Sequence, residues 1–210
     1  MVSVIVVCWR RFDNLDAILK AWLNQPEVDE VILWDNSGRY KTDLPITLIN
    51  SNKNINPSIR YLIATMAKNE LVMHCDDDVM PKTELVADFL KFHQEDWFSS
   101  VEGMFFTGNS YFNQKRVHAR NIESPEKVEL VIGNLTMINK KHLFGHDYLN
   151  FSKYQLEMCL QGIIKGKIEP MVIPSKNYEE LPEAKDANAL HLDDKGKPDK
   201  ERLYRQYFAK

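Results

Sequence analysis

The chain has 210 residues, 44% hydrophobic and 27% charged, which allows a sizeable core and excludes a disordered, collagenous or disulfide-stapled protein. Twenty-seven basic against 30 acidic side chains leave a net charge of −3, so no global positive field draws in nucleic acid or an anionic membrane. Cys8, Cys75 and Cys159 are odd in number and set in apolar runs, which reads as buried thiols; no apolar stretch approaches ~18 residues, so the expectation is a soluble, cytoplasmic protein with no membrane span.

Val2 to Cys8 is an unbroken run rich in β-branched residues, the pattern of a strand buried on both faces. Asp13 precedes a helical spacing of Leu15, Ile18, Leu19, Trp22 and Leu23, which Pro26 closes. Glu30 to Asp35 and Ile46 to Ile49 read as the next two strands, with Asn36-Ser37-Gly38 as a turn after the first. Pro57 opens a helix predicted to bury Ile59, Leu62, Ile63 and Met66. Glu70 to His74 is another strand, with Asp76, Asp77 and Asp78 just past its end, and Pro81 opens a helix carrying Leu85, Phe89 and Leu90.

This alternation over residues 1–95 predicts a parallel α/β sheet and a nucleotide-binding half. The pattern then changes to strands at Val101 to Phe106 and Val128 to Ile132, separated by a polar stretch holding Lys115, Arg116, His118 and Arg120, an acceptor-site or lid candidate. Phe151 to Lys165 reads as a helix and Met171 to Ile173 as a return to the sheet. Residues 175–200 are polar and read as a mobile segment before a short final helix with Arg202, Tyr204 and Tyr207. The expected organisation is one domain, with residues 1–95 for a nucleotide sugar, 96–185 for an acceptor and 186–210 as a tail over the site.

Three consecutive aspartates at a strand end repel one another unless a cation intervenes. Their hard oxygen donors suit Mn²⁺ or Mg²⁺, and in open α/β sheets ligands gather outside the carboxyl ends of strands. No G-x-G-x-x-G follows the first strand and no G-x-x-x-x-G-K-[ST] occurs, so phosphate charge would be met by metal and by Arg10, Arg11 and Arg60.

The run Val4-Ile-Val-Val-Cys-Trp-Arg-Arg11, the strand-turn Val31 to Gly38, Arg60 one helix before Leu71-Val-Met-His-Cys-Asp-Asp-Asp-Val79, and Val131 to Asn139 together resemble a GT-A glycosyltransferase. The flavour is exostosin-like (family 64-like), with a family-2-like arrangement as the looser match. That resemblance implies a GT-A (Rossmann-like) fold, a UDP-sugar donor, a hydroxyl-bearing acceptor and Mn²⁺ or Mg²⁺ as cofactor. It implies that the triplet acts as the DxD motif, with Asp76 and Asp77 toward the nucleotide sugar and Asp78 on the metal. It further implies nucleotide contacts from Arg11, Asn36 and Arg60, a late metal ligand at His191 and a diphosphate clamp at Arg202.

The helix around Lys153 to Leu160 resembles the Glu-Asp motif helix of these enzymes, but its two acidic positions read Tyr154 and Gln155. A glutamine cannot take a proton from an acceptor. Glu157 sits about 200° around an ideal helix from Gln155, so it is expected to face elsewhere. With Gln155 and Glu157 as the catalytic candidates, the expectation is transfer with retention, the leaving phosphate taking the acceptor's proton. Two alternatives stand beside it. One is a non-catalytic nucleotide-sugar-binding relative; the other is a metal-dependent nuclease or phosphohydrolase, for which Asp35 is the one further acidic ligand in view. The acceptor is open between a glycan, a lipid-linked group and a modified nucleobase in DNA.

Overall fold

A computed structural model describes residues 1–182 and 194–209. The chain opens with β1 (Val2–Cys8), α1 (Leu15–Leu23), β2 (Val28–Asp35), β3 (Thr47–Asn50), α2 (Ile59–Ala64) and β4 (Leu71–Asp76). There follow β5 (Val79–Pro81), α3 (Leu85–Phe92), β6 (Trp97–Ser100), β7 (Glu102–Phe106), β8 (Gln114–His118), β9 (Glu126–Lys127), β10 (Leu130–Val131) and β11 (Leu135–Asn139). The last elements are α4 (Leu156–Ile163), β12 (Glu169–Val172), β13 (Tyr178–Glu180) and α5 (Lys197–Tyr207).

Eight strands form one sheet in the order β3-β2-β1-β4-β11-β6-β12-β9. The first four are parallel, β11 runs antiparallel between β4 and β6, and β12 is parallel to β6. Every residue of β1 is buried, and each Val or Ile so placed contributes about 1.5–3 kcal/mol. A charged substitution there would strike the centre of the core. Because Cys8 pairs with Asp35 and Val7 with Asp76, β1, β2 and β4 end together, and the residues that follow them share one edge.

Several expectations need correction. The buried face of α2 carries Ile59, Arg60, Tyr61, Ile63 and Ala64, while Leu62 and Met66 are exposed. This short helix turns an arginine and a tyrosine inward, which a count of apolar spacings does not register. The strand expected at Val101 to Phe106 is β7, but it lies outside the main sheet: the chain changes sheets at Val101, from β6 in the main sheet to β7 in a small sheet ordered β10-β7-β8. The polar stretch after it contains a strand, β8, whose Arg116 pairs with Glu102. Arg120 lies over the Tyr178 ring. β11, buried throughout, was not anticipated as a strand. Part of the supposed mobile segment is β13, paired with β5.

The final helix begins with proline in its first turn and buries Leu203 and Tyr204. It docks on α4, where the Tyr207 ring covers Gly162: a Cβ at that glycine would lie 2.3 Å from the ring. All three cysteines are buried and free, and no helix among the described residues is long and apolar enough to cross a membrane.

Candidate active site

The acidic triplet lies where the chain leaves β4. Asp76 is the last strand residue, and its neighbours follow in the turn to β5. Each carboxylate meets an arginine. Arg60 Nη2 lies 2.6 Å from Asp76 Oδ1, and Arg60 Nη1 donates to the Gly133 carbonyl at 3.0 Å. Arg11 Nη1 approaches Asp77 Oδ1 at 3.0 Å and Asp78 Oδ2 at 2.5 Å. The Trp9 amide adds a contact to Asp77 at 3.3 Å. Arg10 turns away, exposed, with its guanidinium over the Trp9 ring.

Charge at this edge is only partly balanced. Burial pushes the Asp77 carboxyl up to about 6 against the pull of Arg11. Burial, then the charges of Asp76 and Asp77, push Asp78 up to about 7. Two carboxylates converging on one guanidinium nitrogen form a place shaped for a cation. Among the described residues no set of three or more His, Cys, Asp or Glu closes around a single point. The cation on which Asp77 and Asp78 converge here is the Arg11 guanidinium, and a divalent ion would have to take its place, with one or two carboxylates as ligands and water and substrate phosphate completing the shell. His191 lies outside the described residues.

Glu157 is where the structure departs most from the helix-wheel expectation. Gln155 is not inside α4 but caps it, with φ −155° and ψ 60°, so 100° per residue does not relate the two side chains. The Glu157 carboxyl lies against Gly133 in the electrostatic reach of Arg60, Asp76 and Tyr61. Burial pushes it up to about 7, with Arg60 acting in the opposite direction. Gln155 instead donates from Nε2 to the Tyr111 hydroxyl at 2.9 Å. Tyr154 packs its ring on Gly196, at the start of the final helix.

The remaining predicted residues are engaged within the protein. Asn36 is buried; its Oδ1 accepts from Trp34 Nε1 and the Ile55 amide, both at 2.9 Å, and its Nδ2 donates to the Ile55 carbonyl at 3.1 Å. Arg202 is exposed and turns to Asp199 in its own helix at 2.6 Å. Asp35 accepts from the Ser37 hydroxyl and from the amides of Ser37, Arg39 and Tyr40, each at 2.7 Å. Despite burial, which acts against it, these bonds hold the Asp35 carboxyl below its usual range. Its lone pairs are committed to the turn, which removes the extra ligand that a nuclease reading needs. A cavity of about 450 Å³ lined by Lys165, Ile168 and Phe208 lies at the far end of α4 and includes none of the triplet.

Sequence reasoning missed Tyr61, Gly133 and the direction of Glu157. The available signals were the adjacency of Tyr61 to Arg60 and the glycine in Val131-Ile-Gly-Asn134.

No family model matches the chain, and no curated protein matches it by sequence. Its fold is similar to that of GalNAc-T7, whose crystal structure was solved with UDP, GalNAc and Mn²⁺. The likeness covers 98% of this chain and 48% of that one, with a TM-score of 0.62 and 10% identity. The chain thus spans about half the length of that protein. At this identity the likeness is one of fold: it supports a GT-A-like architecture and singles out no family within it.

Proposed function

We propose that the protein transfers a sugar from a UDP-sugar to a hydroxyl group with the aid of a divalent cation. The observation that carries this reading is the triplet Asp76 to Asp78, bracketed by Arg11 and Arg60 at the carboxyl edge of a GT-A-like sheet. On this reading Asp76 and Asp77 serve the nucleotide sugar, Asp78 holds Mn²⁺ or Mg²⁺, and the two arginines supply charge for the diphosphate. The bound ion would supply Lewis-acid stabilisation of the departing diphosphate. Asn36 serves the nucleotide indirectly, by holding the loop that leads to Arg60, and Arg202 is retained as a diphosphate contact on resemblance alone.

Glu157 favours a particular course for the proton. A carboxyl with a pKa of about 7 beside the Arg60–Asp76 pair is suited to receive the acceptor's proton near neutral pH. The acceptor oxygen then bonds to the anomeric carbon as the carbon–phosphate oxygen bond breaks and its electron pair leaves with UDP. A base separate from the leaving phosphate permits attack from the opposite face, which inverts the anomeric centre. Retention is the second reading, favoured by Gln155, which would orient the sugar while the phosphate takes the proton. Proton NMR of fresh product separates the two.

The decisive test is calorimetry of UDP binding in Mn²⁺ and in chelator, followed by UDP release from a panel of UDP-sugars. Equal affinity in both buffers and no release from any donor would overturn the transferase reading. Metal-dependent binding without release, even with glycan, lipid-linked and DNA acceptors supplied, would leave the non-catalytic alternative.

A further inference from the structure

Gly133 lies in the link between β10 and β11, and its backbone is not in the left-handed region that favours glycine. Nothing in the local conformation requires a glycine there. Space does: a Cβ at this position would lie 1.7 Å from Glu157 Oε1 and 2.4 Å from its Cδ. Real Cβ atoms do not approach other atoms so closely, so the carboxyl occupies the volume that any side chain at 133 would take. The same residue's carbonyl accepts from Arg60, whose other nitrogen holds Asp76. On the inner side stands Tyr61, fully buried, wedged edge-on against His74 and packed on Tyr148. Its hydroxyl makes no regular hydrogen bond and faces the Glu157 carboxyl.

We propose that Gly133 and Tyr61 are positioning residues for Glu157: the missing side chain at 133 admits the carboxyl to the Arg60–Asp76 edge, and the Tyr61 hydroxyl orients it there to receive the acceptor's proton. The proposal rests on the transferase reading above and adds to it the seat on which the proton acceptor is held. Because the space at 133 is filled by Glu157 itself, a shorter side chain at 157 is expected to relieve a methyl added at 133.

The test measures UDP release from the UDP-sugar that the parent chain turns over, alongside UDP affinity in Mn²⁺. Gly133→Ala is expected to slow release about 100-fold, the range of a lost general base, while UDP affinity stays within about twofold. Gly133→Ala/Glu157→Asp withdraws the carboxyl by one methylene and is expected to recover about tenfold over Gly133→Ala, although Glu157→Asp alone is slower than the parent. Tyr61→Phe, which removes one oxygen atom and keeps the ring, is expected to lower kcat about tenfold and leave KM for the donor unchanged, and it keeps the proposal testable if Gly133→Ala does not fold. Parental rates in Gly133→Ala, no recovery in a folded double variant, or parental kcat in Tyr61→Phe would overturn the proposal while leaving the transferase reading intact. A parent chain that releases no UDP would overturn both together.

Discussion

Around Asp76 to Asp78 the contacts are between opposite charges, Arg60 with Asp76 and Arg11 with Asp77 and Asp78. Around Gln155 the side-chain contacts are mostly neutral: its amide meets the Tyr111 hydroxyl, and the Tyr111, Tyr204 and Phe208 rings gather about Phe106, while Glu201 and Glu129 accept from the Tyr111 and Phe106 amides. The first environment is held by charge, and the second by rings packed on one another. Glu157 lies on the seam between them, reached by Arg60 and Asp76 on one side and by Tyr111 on the other. Variants on the two sides should therefore separate binding from turnover.

The largest separation is expected at that seam. Glu157→Gln keeps the shape of the side chain and removes its basicity, so UDP release should fall by about 10²- to 10⁴-fold. UDP affinity should change little, because Arg11, Arg60 and the triplet are untouched. Gln155→Ala, which loses one neutral hydrogen bond, should cost turnover far less. Equal losses in the two variants, measured by steady-state kinetics, would break the division between the sides.

On the charged side the expected effects are on binding. Asp78→Asn should weaken UDP in Mn²⁺ by roughly 10- to 100-fold, the worth of a charge-assisted contact of about 1.5–3 kcal/mol. Arg11→Ala and Arg60→Ala should weaken it comparably, but only Arg60→Ala should also lower fold stability markedly. Arg60 is buried and ties Asp76, the Gly133 carbonyl and the Pro57 carbonyl together, whereas Arg11 is tied to the triplet at the rim. Calorimetry and thermal melts of the two variants side by side would show whether this contrast holds.

The pH dependence of metal binding follows from the same charges. Asp77 and Asp78 have pKa values raised to about 6 and about 7, so in the ion-free protein they take up protons as pH falls from 8 to 5. A divalent ion must displace those protons. The rise in melting temperature produced by Mn²⁺ should therefore be largest near pH 8 and shrink steadily toward pH 5. Comparing each sample with its own chelated control cancels the titration of buried histidines such as His74 and His93, whose pKa values are lowered by burial. A rise of constant size across this range would mean that the ion does not bind at these carboxylates.

What could be read from the sequence differs between the same two regions. β1 is a continuous buried run, and β2 and β4 hold shorter apolar runs, Val31 to Trp34 and Leu71 to Met73, as parallel strands covered on both faces require. Their carboxyl ends followed directly, and with them the position of the triplet. The later strands are short and divided between sheets at Val101, so their runs of apolar residues mark some of them but not their pairing. Glu157 was misjudged for a related reason. Its direction depends on α4 starting after Gln155 and on an empty volume at Gly133, and both are set by chain segments distant in sequence.

The smallest effect is expected at Asn36, and it bears on how far the charged side extends. Three of the four hydrogen-bonding positions on its amide are taken up by Trp34 and by the backbone of Ile55. The residue thus fastens the polar loop of residues 51–56 to the end of β2, and that loop leads through Pro57 into the helix carrying Arg60. Asn36→Ala would leave the Trp34 and Ile55 donors without their acceptor, at a cost of about 1–3 kcal/mol. For a chain of this length that lowers the melting temperature by several degrees. UDP affinity should fall by less than about threefold, because the nucleotide would feel only a looser approach to Arg60. An unchanged melting temperature combined with a loss of tenfold or more in UDP affinity would instead mean that Asn36 touches the nucleotide directly, and that the charged edge reaches across β1 to the turn after β2.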